Sequence, residues 1–148
     1  MDKHWTRLYF DLCKRIAQES KDPSTKVGAF IVRPDNTPVS FGYNGFPRKV
    51  DDNDHLLRNR DEKYPRMVHA ELNAILNSQS NVRDCKIFTY PLFPCPTCAG
   101  AIIQSGIREV VVMTTAEKWD WQKDLVEISK EMFRQSNIDW RSTQEGDC

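Results

Sequence analysis

The sequence predicts an α/β sandwich with a mixed sheet of about five strands, and three observations predict it. Segments with three- and four-residue apolar spacing alternate with short β-branched runs in the order α-β-β-α-β-α-β-α-(β). The first two runs are separated only by a turn, the mark of a hairpin. The length, 148 residues, suits one compact domain with one core, so residues 1–148 are expected to form a single unit.

Taken in order, Trp5, Leu8, Tyr9, Leu12 and Ile16 mark a helix with one buried stripe. Lys21-Asp22-Pro23-Ser24 breaks it. Val27-Gly28-Ala29-Phe30-Ile31-Val32 is a short apolar run, hence a strand. Pro34-Asp35-Asn36 reads as a turn, and 39–43 as the second strand of the hairpin. Segment 46–65 is poor in apolar residues and rich in charge, so it reads as a long loop, either functional or a solvated insertion. Val68, Leu72, Ile75 and Leu76 mark a second amphipathic helix, and 86–90 is a strand. A third helix spans 95–105, with Pro96 near its start and Gly106 just past its end. Residues 107–113 form a strongly β-branched strand. Trp121, Leu125, Ile128 and Met132 give a fourth helix. A weak last strand is expected at 138–140, and 141–148 reads as a frayed polar tail.

Bulk composition narrows the function classes. There are 21 basic and 21 acidic residues, so the formal net charge is zero. A polynucleotide binder usually carries a basic excess, so a small substrate is favoured over DNA or RNA. No apolar stretch is long enough to suggest a membrane span, and 1–20 lacks the apolar run of a signal peptide. The five cysteines, Cys13, Cys85, Cys95, Cys98 and Cys148, are odd in number. That argues against a disulfide framework and for a reducing cytoplasm.

The chemistry lies in His69-Ala70-Glu71 and Pro94-Cys95-Pro96-Thr97-Cys98. Cys95 and Cys98, three residues apart, point the same way in the first turn of a helix, where the dipole favours thiolate. Two thiolates and a neutral imidazole suit one Zn2+ ion, and three ligands leave the fourth position open, as in a catalytic site. Zinc lowers the pKa of a bound water towards about 7. Glu71, close by at the helix start, is placed to move the proton. Alone, the cysteine pair also suits a redox couple, and His69 a hydrogen-bonded core residue.

Joined across about two dozen residues, the two halves match the His-x-Glu…Pro-Cys-x-x-Cys signature of zinc deaminases. The sequence resembles the cytidine deaminase-like superfamily, and most closely its deoxycytidylate deaminase branch. The likeness covers roughly 4–113. It is carried by the run 20–29 with its Asp22-Pro23-Ser24-Thr25, by Gly42-Tyr43-Asn44-Gly45-Phe46-Pro47, by Val68-His69-Ala70-Glu71-Leu72-Asn73-Ala74-Ile75, and by 93–99 leading to Ile102-Ile103-Gln104-Ser105-Gly106-Ile107.

The resemblance implies a three-layer α/β/α fold and hydrolysis of dCMP to dUMP and ammonia, feeding thymidylate synthesis. His69, Cys95 and Cys98 would hold the zinc, and Glu71 would shuttle protons. Asn44 would meet the deoxyribose, and the backbone of Ala70 and around Pro94 would hold the base. Lys21 and Lys26 would lie near the 5′-phosphate. Tyr43, Asn44 and Gly45 are linked in such relatives with nucleotide effectors, dCTP activating and dTTP inhibiting, the triphosphate with Mg2+. A homo-oligomer is implied as well. Some phage relatives carry a second zinc, but Cys13 and His55 stand without the extra cysteines, so none is expected here. Trp119, Trp121 and Trp140 match nothing in the family and are expected in the core or a subunit interface. The rivals are dual dCMP/dCTP deamination, a sister deaminase of another cytosine compound, tRNA adenosine, a pterin or guanine, a catalytically dead relative, and a purely structural zinc module.

Overall fold

Asp2 caps the first helix, its carboxylate accepting from the His4 N–H at 2.8 Å. From there the computed structural model, which describes residues 2–115 and 123–146, runs through six helices and five strands among those residues. These are α1 (Lys3–Ala17), β1 (Gly28–Val32), β2 (Pro38–Tyr43), α2 (Asp54–Arg58), α3 (Arg60–Arg66), α4 (Ala70–Asn77), β3 (Lys86–Tyr90), α5 (Pro96–Ser105), β4 (Glu109–Thr114), α6 (Lys123–Gln135) and β5 (Asp139–Gln144). The sheet order is β2-β1-β3-β4-β5. β1 runs antiparallel to β2 and β3, and β3, β4 and β5 are parallel, so the sheet is mixed as expected.

Side chains alternate across the sheet with the period of two that strands impose. Ala29, Ile31, Ile87, Val110 and Val112 pack in one core with Ala70, Ala74, Ala99, Ile102, Val126 and Phe133, from α4, α5 and α6. Phe30, Val32, Phe88, Val111 and Met113 pack in a second core with Tyr9, Phe10 and Cys13 of α1. That makes three layers, with α1 on one face of the sheet and α4, α5 and α6 on the other. Burying each large apolar side chain contributes roughly 1.5–3 kcal/mol.

Two glycines allow the layers to close. A Cβ on Gly28 would lie 2.2 Å from the Cys13 carbonyl oxygen of α1. A Cβ on Gly42 would lie 2.5 Å from the Ala74 nitrogen and 2.7 Å from the Ala70 oxygen of α4. Neither has a positive φ; the need is for close approach.

Several expectations are corrected. Segment 46–65 is not one long loop: α2 and α3 lie within and just beyond it, capped by Asn53 and Asn59. Such short helices carry no readable periodicity. Residues 141–144 are not a frayed tail but the second half of β5, paired in register with β4. On α1 the expected Trp5, Tyr9, Leu12 and Ile16 do pack on the core, beside the buried Thr6, Phe10, Cys13 and Ala17, and Leu8 alone of that stripe is exposed. On α6 the buried stripe is Val126, Ser129 and Phe133, while Leu125 and Ile128 face solvent. Leu76 of α4 is 68% exposed. Trp140 is half-buried against the core, edge-on to Phe93 at 5.6 Å. Trp119, Trp121 and Cys148 lie outside the described residues. No helix among the described residues is long and apolar enough to cross a membrane.

Candidate active site

Two helix N-termini on the same face of the sheet carry the predicted donors. His69 is the N-cap of α4 and Cys95 the N-cap of α5, and neither side chain caps its own helix. Both are turned to each other instead. His69 Nδ1 lies 3.4 Å from Cys95 Sγ and 3.4 Å from Cys98 Sγ. The three donor atoms all fall within 4.8 Å of one another. A tetrahedral zinc with ordinary Zn–S and Zn–N bonds needs an S···N separation of about 3.5 Å, so the donor set fits that ion. No other Asp, Glu, His or Cys among the described residues joins this group.

The elements that hold these donors are tied by backbone and amide hydrogen bonds. Gly45 and Val68 exchange paired bonds of 3.1 and 2.8 Å, which fixes the chain just before His69. Ser40 Oγ donates to the Ala74 carbonyl at 2.7 Å and Asn73 Nδ2 to the Tyr43 carbonyl at 2.8 Å, fastening α4 along β2. The loop from β3 to α5 contains the cis Tyr90–Pro91 peptide and is held by Thr89 Oγ1, which donates to the Leu92 carbonyl at 3.1 Å. Pro96 takes the first position of α5, where a missing N–H costs nothing. Gly106 ends that helix at φ 86°, a conformation glycine adopts freely.

The electrostatics match the donor chemistry. Cys95 is pushed down to about 4, chiefly by its hydrogen bond with Cys98 and further by His69. Cys98 moves the opposite way, raised by the same bond and by burial. One thiol of the pair therefore gives up its proton readily, as a metal ligand must. His69 is raised, first by its bond with Cys95. Glu71 is 5% exposed, and burial lifts its carboxyl above the ordinary range while His69 pulls it back. The site grades from an exposed His69 to a half-buried Cys95 and buried Cys98 and Glu71.

The other predicted residues take distinct places. Ala70 and Pro94 are buried beside the donors in the chain. Asn44 is buried with both ends of its carboxamide engaged: Oδ1 accepts from the Val27 N–H at 2.8 Å, and Nδ2 donates to the Thr25 carbonyl at 2.9 Å. Tyr43 is exposed and Gly45 half-buried. Lys21 is exposed and bonded to Asp52 at 2.9 Å. Lys26 Nζ donates to the Ser20 carbonyl at 2.7 Å. Asp22 and Lys63, a buried ion pair 3.0 Å apart, were not singled out by sequence. Asp22 lies in the Asp22-Pro23-Ser24-Thr25 run that carries the family likeness, but Lys63 is one charge among many in a charged segment.

Comparison with known proteins agrees with this geometry. Residues 3–114 match the family described as the cytidine and deoxycytidylate deaminase zinc-binding region. The deoxycytidylate deaminase of Mus musculus is 44% identical over 116 residues, 74% of this chain. The chain spans only 65% of that relative's length. An uncharacterised deaminase from the luxG 3′ region of Aliivibrio fischeri is 36% identical, covering 94% of this chain and 93% of its own. Among solved structures, the dCMP deaminase of cyanophage S-TIM5 in complex with dCMP and dUMP superposes with a TM-score of 0.74 at 21% identity, over 96% of this chain and 98% of that one. That likeness speaks for the fold. With the matched region spanning 3–114 and holding the whole donor set, the chain belongs to the cytidine and deoxycytidylate deaminase family.

Proposed function

We propose that this chain hydrolyses dCMP to dUMP and ammonia, using one zinc ion held by His69, Cys95 and Cys98. The observation that carries the reading is the meeting of one imidazole and two thiols at ligand spacing, at two helix N-termini, with buried Glu71 two residues from His69. Held by His69, Cys95 and Cys98, zinc would supply an activated water. The chain's own residues do the rest. Glu71 accepts a proton on its carboxylate and returns it to the 4-amino nitrogen of the cytosine, which leaves as ammonia. Burial makes that carboxylate a better proton acceptor than an exposed one. The backbone of Ala70 and around Pro94 holds the base, and Asn44 meets the deoxyribose. Lys21 and Lys26 stand nearest the 5′-phosphate, which must compete with Asp52 for Lys21. The mouse relative's name and the nucleotides bound to the cyanophage protein support the choice of substrate.

The finer reading extends to regulation and assembly. Tyr43, Asn44 and Gly45 would take dCTP with Mg2+, or dTTP, as effectors, and residues 1–148 act as one domain in a homo-oligomer. Exposed Leu125 and Ile128, one turn apart on α6, are apolar surface that a second copy would cover. The buried free thiols Cys13 and Cys85 suit a reducing cytoplasm. The test is ammonia release from dCMP, dCTP, CMP and deoxycytidine by the zinc-loaded protein, with and without dCTP or dTTP. Preference for dCMP is expected. Equal or better use of deoxycytidine would overturn the nucleotide reading.

A further inference from the structure

Two crossed ion pairs join the charged segment after β2 to the loop that precedes β1. At the surface, Lys21 Nζ meets Asp52 Oδ2 at 2.9 Å. Beneath it, Lys63 Nζ from α3 meets Asp22 Oδ1 at 3.0 Å, with both side chains buried. Asp22 is the hub of a small network. The same Oδ1 accepts from the backbone N–H groups of Ser24 at 2.8 Å and Thr25 at 3.3 Å. Its Oδ2 receives Asn44 Nδ2 at a long 3.5 Å. The Asn44 carboxamide is then pinned by the Thr25 carbonyl and the Val27 N–H, while Ser20 Oγ donates to the Asn44 carbonyl at 2.8 Å. Nothing else in the α2–α3 segment reaches so deep among its charged side chains: Asp54, Arg58, Asp61 and Glu62 are exposed or half-buried.

A buried ion pair is a poor device for stability alone, because desolvation offsets much of the attraction. Its strength is in fixing geometry, since each partner is held by directional, charge-assisted hydrogen bonds. We propose that Lys63 is a positioning residue that acts through Asp22 to fix the Asn44 carboxamide and the 20–26 loop before substrate arrives. The charged segment is thereby part of the nucleotide site and not a solvated insertion. This inference rests on the reading of Asn44 as a substrate contact.

The test is kcat and KM for dCMP in zinc-loaded Lys63→Met, Lys63→Arg, Asn44→Ala and the Lys63→Met/Asn44→Ala double variant. Lys63→Met should raise KM about tenfold or more while kcat changes by less than about threefold, the pattern of lost binding and not of lost chemistry. Lys63→Arg should recover part of the loss. The double variant should be no worse in KM than Asn44→Ala alone, because Lys63 works through that side chain. If Lys63→Met does not accumulate folded, Asp22→Asn and Lys63→Arg carry the same comparison. Unchanged KM in the Lys63 variants beside a raised KM in Asn44→Ala overturns the inference and spares the Asn44 reading. Unchanged KM in Asn44→Ala overturns both, and multiplying effects in the double variant overturn action through Asn44.

Discussion

Cys98 is the residue on which the site's chemistry turns, being the buried member of the thiol pair. Cys98→Ser exchanges a thiolate donor for a hydroxyl that zinc binds weakly. Metal analysis of the purified variant should then show well under one zinc per chain. Lys21→Ala or Lys26→Ala should lower kcat/KM for dCMP about tenfold, the worth of one charge-assisted contact, and leave deoxycytidine nearly untouched. Equal losses on both substrates would remove those lysines from the phosphate. His69, Glu71, Cys95 and Cys98 were all legible in the sequence, because a metal site demands fixed residue types at fixed spacing. The Asp22–Lys63 pair was not, since its partners are far apart in the chain and each looks like an ordinary surface charge until the fold brings them together.

Among the elements, the two close-packed glycines should behave differently. Gly42→Ala drives a Cβ into α4 backbone that cannot yield, at a cost of about 1–3 kcal/mol, and α4 carries His69 and Glu71. Its melting temperature and its zinc content should both fall. Gly28→Ala presses on α1, across the sheet from the donors, so its melting temperature should fall while folded protein keeps its zinc. The central strands and the main helices were readable from periodicity. Helix phase was legible only in part: Trp5, Tyr9, Leu12, Ile16, Ile75 and Met132 pack on the cores as their spacing predicts, whereas Leu8, Leu76, Leu125 and Ile128 draw the eye to a face that solvent holds, while small residues such as Thr6 and Ser129 occupy packed positions. The strand expected at 138–140 is shorter than β5 for a related reason. β5 is an edge strand with mostly exposed side chains, and its identity comes from pairing with β4 and not from its own sequence.

For the whole molecule, the ion would tie α4 and α5 together more firmly than their packing and the His69–thiol contacts do. Zinc binds the native arrangement and not the unfolded chain, so it adds RT ln(1 + [Zn]/Kd) to stability. At a thousandfold excess over Kd that is roughly 4 kcal/mol, which corresponds to a drop of roughly 8–16 °C in melting temperature on chelation. Scanning calorimetry with and without a chelator checks it. A change under a degree or two would mean that the donors do not bridge α4 and α5 through a tightly held ion.

Zinc content and ammonia release from dCMP, taken on the same preparations of the unaltered chain and Glu71→Gln, test whether the buried carboxylate carries the proton. Both proteins should hold one zinc per chain, and the variant should turn over slower by roughly 10²–10⁴, the contribution of a positioned proton carrier. Full turnover by a zinc-loaded Glu71→Gln protein would mean that the buried carboxylate has no part in the chemistry.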